Sequence, residues 1–243
     1  MDSPAASPIL MNMEPGMCSG AITSMHHDND DMAAFLDARD LIESRHNTSP
    51  KRLLEPGPGE EQILAVLSLA AAAPDHGGIT PWRFVIVPRE ARAALGHVFA
   101  LDLIDRDAGA TLQQIEDARE KAHRAPLLIV AIARLGSSER DIPPLERMIS
   151  MGAAVQNILL GAHAMGFGAG LTSGRAMASR RLRELLALAD GEQAVCCINI
   201  GTATHPTRPK RARPSPATFL TYWVPPVDAS HGRAPEGAAY LQD

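Results

Sequence analysis

The stretch APDHGGITPW, residues 73–82, sets Asp75, His76 and Trp82 among turn-forming Pro and Gly, directly after the apolar run ILAVLSLAAAA. A connector needs the prolines and glycines but not the other three, so this loop is a candidate to hold a ligand as well as to turn the chain. Two basic segments stand elsewhere. ESRHNTSPKRL carries Arg45, His46, Asn47, Ser49, Lys51 and Arg52, and THPTRPKRARP carries Arg208, Lys210, Arg211 and Arg213. Each reads either as a solvated basic turn or as part of an anion site. Two such segments fixed on one scaffold can meet at a phosphate, because an arginine's planar fork donates two hydrogen bonds to one anion. GFGAGLTSG, residues 166–174, is rich in glycine. It either caps a helix and turns or lets a ligand approach the backbone closely. It follows a helix rather than a strand, so it is not a dinucleotide fingerprint.

Other chemistries find little support. There is no G-x-S-x-G and no Cys beside a His, and the adjacency of Asp75 and His76 does not make a dyad. The nine histidines are scattered without metal-ligand spacing. Cys196 and Cys197 are neighbours in an apolar strand and point to opposite faces, which suits buried free thiols of a reducing compartment rather than a metal clip. A net charge of −5 gives no reason to expect nucleic acid or an anionic membrane as partner. Aromatics at 4% argue against a base-stacking platform. The chain of 243 residues, 45% apolar and 21% charged, is long enough to bury a real core. No apolar run approaches the roughly 20 residues of a membrane helix, and the N-terminus lacks the features of a secretory signal. The expected location is the cytoplasm.

These segments must be positioned by regular elements. Residues 1–28 read as a disordered leader and 228–243 as a loose tail, leaving one domain over 29–227. Helical spacing and terminal signals predict helices in DDMAAFLDARDLIES, EEQILAVLSLAAAA, REARAALGHVFALDLIDRD, ATLQQIEDAREKAHR, PLERMISMGAAVQNILLGAHAMG and SRRLRELLAL. Short β-branched or apolar runs predict strands in RFVIV, APLLIVAIAR, AVCCINIGTA and TFLTYWV. Strands far apart in sequence with helices between them give an α+β fold, a small mixed central sheet covered by helices. The longest helix carries small and apolar residues nearly all round, which fits a central core helix, a subunit interface, or both.

Taken in order, these motifs resemble the FMN-dependent nitroreductase family, closest to small bacterial members with a PDH…PW loop. APDHGGITPWRFVIV, KAHRAPLLIVAIA, GFGAGLTSG and INIGTA follow one another as in that family, and the resemblance runs from about Phe35 to Trp223. It implies an α+β homodimer with the long helix at the subunit interface and two non-covalent FMN sites, each built from both chains.

The family's Arg-Arg-Ser phosphate motif falls on Arg45, His46 and Asn47, with Ser49 a rival for the hydroxyl role. Its late basic pair falls on Arg211 and Arg213, with Lys210 beside them. Pro74, Asp75 and His76 match the loop that reaches the partner's flavin, His76 making the contact. Gly78-Ile79-Thr80 stands where many relatives have Asn-x-Gln. Leu171, Thr172, Ser173 and Gly174 would lie along the isoalloxazine, their backbone N–H groups reaching N5 and O4. The implied activity is a two-step exchange at the flavin: hydride from NAD(P)H to N5, then electrons to a nitroaromatic, quinone or similar small-molecule acceptor, with no side chain acting as acid or base. Alternatives are a flavin or enone reductase for a specific metabolite, a non-catalytic FMN storage or sensor protein, or a flavin-free helical interaction protein.

Overall fold

A computed structural model of the chain describes residues 29–136, 141–204 and 212–223. Its contacts divide the chain into two units, Asp28–Pro209 and a second whose described residues are 212–223. The division falls inside the 29–227 span expected to form one domain.

Six α-helices are described in the first unit: α1 (Asn29–Ser44), α2 (Glu60–Ala70), α3 (Arg92–Arg106), α4 (Leu112–Glu120), α5 (Pro144–Ala164) and α6 (Arg180–Leu185). The strands are β1 (Leu53–Leu54), β2 (Trp82–Ile86), β3 (Leu127–Arg134), β4 (Gly168–Thr172) and β5 (Glu192–Ala203). The sheet order is β1-β5-β3-β2, with β4 also on β5. All the named strands pair antiparallel, and the parallel component of the expected mixed sheet is a single bridge, Asn47 to Ala169.

Alternation along β3 divides the core into two layers. Leu127, Ile129, Ala131 and Ala133 pack with Val66 and Ala70 of α2 and with Met151, Ala154, Val155 and Ile158 of α5. Leu128, Val130 and Ile132 pack with Leu95, Val98 and Phe99 of α3 and Leu182 of α6. Cys196 and Cys197 are free and buried, one in each layer. Burial pushes the Cys196 thiol up to about 11, and burial together with the neighbouring Cys196 pushes Cys197 up to about 12, so neither is a ready thiolate near neutral pH.

GFGAGLTSG is not merely a cap and turn. Its residues 168–172 form β4. Glycine is poor in strands, and here close approach explains it. A Cβ on Gly170 would stand 2.1 Å from the carbonyl oxygen of Thr48, and one on Gly168 would stand 2.8 Å from Leu53 Cδ2. The bare strand lets the segment after α1 lie directly against it. TFLTYWV, expected as a strand, forms none over its described residues, 218–223. In the second unit Pro216–Thr218 form a 3-10 turn, and the Phe219 and Leu220 N–H groups both donate back to Pro216. Phe219, Tyr222 and Trp223 are exposed, and local turn bonds have replaced the ladder that the β-prone residues suggested.

Candidate functional site

The 73–82 loop is built around Asp75. Its carboxylate accepts the Thr80 N–H and its carbonyl accepts the Gly78 N–H at 3.2 Å. Between these bonds the chain passes through left-handed conformations at Gly77 (φ 78°), Gly78 (φ 62°) and Thr80 (φ 45°). Thr80 has a Cβ and is strained there, and the Asp75 bond holds it in place. Asp75 is therefore the clasp of the loop, with Pro74 exposed before it. His76 projects outward, its side chain 67% exposed, and its Nδ1 meets the Glu146 carboxylate in the first turn of α5. Trp82 is core, buried at the start of β2.

The other predicted group assembles where α1 stops. Ser44 Oγ lies 2.9 Å from Nε2 of His163, in the last turn of α5. The next two residues are Arg45 and His46, and His46 Nδ1 donates to the Ser44 carbonyl at 3.3 Å. Desolvation, followed by the charges of His46 and Arg45, pushes His163 below its usual 6.5. Arg45, His46 and His163 thus form one cation-rich corner.

Asn47 joins that corner to β4. Its Oδ1 accepts the Leu171 N–H at 2.9 Å, and the N–H of buried Thr48 donates to the Ala169 carbonyl at 2.8 Å. From below, buried Asn199 donates to Thr172 Oγ1 at 3.0 Å. Leu171, Thr172, Ser173 and Gly174 are left as an exposed run. Gly174 has φ 139°, and a Cβ there would meet nothing within 4 Å. Residues 172–174 also form one wall of a cavity of about 210 Å³ whose other walls include Phe99, Lys121 and Cys197. The Leu171 N–H is engaged by Asn47, so it is not among the donors open to a ligand. Ser49 is exposed, and its carbonyl accepts the Arg52 N–H.

The structure therefore brings Arg45, His46 and Asn47 together with Leu171–Gly174, and sets Pro74, Asp75 and His76 apart. His76 is held at the first turn of α5 and the cationic corner at its last. The helix between Glu146 and His163 rises about 25 Å at about 1.5 Å per residue. Arg211 lies outside the described residues, and Arg213 is exposed in the second unit. Sequence reading missed Glu146, His163, Thr48 and Asn199. A signal existed for the first two, an acid in the first turn and a histidine in the last turn of the longest helix, where the helix dipole favours each.

Among the described residues, nothing covers one face of α5. Leu145 is 73% exposed and Ile149 65%, and a Cβ on Gly152, next along the stripe, would meet open space. The opposite face is core, so the expectation of a core helix holds. Phe35 and Ile42 of α1 are also about half exposed. No described helix is long and apolar enough to cross a membrane.

A family model described as the Nitroreductase family matches residues 45–202. Among curated relatives, the protein named "Putative NAD(P)H nitroreductase YdjA" of Escherichia coli K12 is 31% identical over 188 residues, covering 77% of this chain and all of that one. Among solved structures, a nitroreductase-like family protein from Bacillus cereus superposes with TM-score 0.61 at 20% identity, over 76% of this chain and 95% of the other. A mutant form of NfnB, an FMN and NADPH-dependent nitroreductase from a Sphigopyxis strain, superposes with TM-score 0.60 at 16% identity, over 76% and 98%.

Proposed function

This chain belongs to the nitroreductase family, and from that premise we propose that it is an FMN-dependent NAD(P)H oxidoreductase working as a homodimer on a small, electron-poor acceptor such as a nitroaromatic or a quinone. The observation that carries this reading is the bond from Asn47 to Leu171, which ties a cationic corner to an exposed strand end. FMN has that same division, a dianionic phosphate at one end and a flat ring at the other. The residues fit it: Arg45, His46 and His163 suit the phosphate, and the exposed run 171–174, open beside Gly174, suits the ring.

When bound, the flavin supplies the redox chemistry, taking hydride from NAD(P)H and passing electrons to the acceptor. The chain's own residues bind and orient. Arg45 and the two imidazoles would neutralise the phosphate. Asn47 and Asn199 hold Leu171 and Thr172 in place from two sides. The backbone N–H groups of Ser173 and Gly174 are the part of this run left for the ring edge. In this reading His76 acts on the flavin of the partner copy. A two-fold axis across α5 near its midpoint would lay the two helices antiparallel and bring the His76 end of one chain to the Arg45 end of the other. Asp75 supports this by fixing the loop, and burying Leu145 and Ile149 contributes roughly 25 cal/mol per Å².

The absorption spectrum of the purified protein tests the reading. A yellow preparation bleached by NAD(P)H and recoloured by a nitroaromatic or quinone is expected. A yellow preparation that NAD(P)H leaves unchanged would make it a flavin-holding protein instead, and a preparation that neither contains nor binds FMN would overturn the proposal.

A further inference from the structure

The Ser44 hydroxyl engages one of the two ring nitrogens of His163, Nε2. In the tautomer in which Ser44 Oγ–H donates to the Leu41 carbonyl at 3.4 Å, Nε2–H donates to Ser44 Oγ at 2.9 Å. In the neutral ring, Nδ1 then carries only a lone pair. A bare lone pair repels an anion, and a protonated Nδ1 donates to it. Among the described residues, the charges acting on this ring are those of His46 and Arg45, from the segment that follows α1. Both are cationic or able to become so, and both oppose the proton while the corner is empty. A bound dianion reverses that balance.

We infer that His163 is a titrating ligand of the phosphate corner: capture of a phosphate monoester draws one proton from solvent onto Nδ1 of His163, turning a repelling group into a donor. This rests on the FMN reading above and adds the pH dependence of that site. The sign follows from linkage. In the empty corner His163 lies below 6.5, and with the phosphate bound it lies higher. Affinity is fullest below the empty-state value and weakens as pH rises toward the bound-state value, by up to about tenfold per pH unit for one linked proton.

The test is calorimetric titration of FMN into the full-length apoprotein at pH 7.5, where the phosphate is already close to a dianion, its second pKa being about 6. Running it in buffers of different ionisation enthalpy reads the protons taken up. Wild type is expected to take up at least about 0.3 proton per site. Riboflavin, which has the ring without the phosphate, should bind with none. The His163→Gln variant, whose amide keeps the bond to Ser44, should lose at least half of the uptake and show an FMN affinity that varies less between pH 6 and 8. FMN binding without proton uptake, equal uptake with riboflavin, or undiminished uptake in His163→Gln would overturn the inference and leave the FMN reading standing. Failure of FMN to bind at all would overturn both.

Discussion

Glu146 and His163 stand at opposite ends of α5, and each fastens one half of the candidate site, the first through His76 and the second through Ser44. One chain therefore carries both halves without being able to join them across about 25 Å of helix. In the proposed dimer a second copy, its α5 antiparallel to the first, would join them twice. Tight FMN binding would then require the dimer.

Gly152→Leu separates folding from assembly. In the single chain the new side chain meets open space, so the melting temperature at high dilution should not fall. Across a close helix pair it keeps the backbones apart. Sedimentation should show the dimer dissociation constant raised at least tenfold, about 1.4 kcal/mol, with FMN lost in proportion.

Arg45→Ala should leave a folded dimer whose FMN affinity is at least tenfold weaker, because a charged partner of the phosphate is removed, a loss of about 1.5–3 kcal/mol. Fluorescence titration of FMN, quenched on binding, gives the constant.

Much of this was legible in the residues. The six helices and β2, β3 and β5 follow from apolar periodicity and β-branched runs, and the PDH loop and the Arg45 segment stood out by residue type. β4 did not, because its glycines answer to Thr48 pressing on it from outside rather than to strand propensity. TFLTYWV misled for the converse reason, β-prone residues with local turns in place of a ladder. Asn47 falls on the serine of the family's phosphate motif, and its side chain proves to be the link to Leu171. His163 escaped notice because its role depends on where α1 ends in space.

Gly170→Ala tests the reading of β4. With Thr48 O placed 2.1 Å from the new Cβ, the backbone must move, and the variant should lose more than about 3 kcal/mol in urea unfolding. The 47–48 segment should detach with it, weakening FMN binding in whatever protein stays folded.

Acid stability should depend on Glu192. Arg83 grips its carboxylate twice, at 2.8 and 2.7 Å, and this pair, with help from the Ala189 N–H, holds Glu192 down at about 2. The folded value lies below the unfolded one of about 4.3. Its contribution is therefore full above that unfolded value and is lost as pH falls through 2. Glu192→Gln should cost on the order of 2 kcal/mol at pH 7. It should also flatten the stability profile between pH 5 and 2, as read by denaturant melts.

The most direct test mixes two defective homodimers, Arg45→Ala and His76→Ala, each weak in FMN binding, and lets their chains exchange. If each site takes Arg45 from one chain and His76 from the other, a mixed dimer has one doubly damaged site and one intact site. Titration should then recover one FMN of wild-type affinity per mixed dimer. Mixed dimers without any wild-type site, or a His76→Ala homodimer that binds FMN as tightly as wild type, would contradict the account.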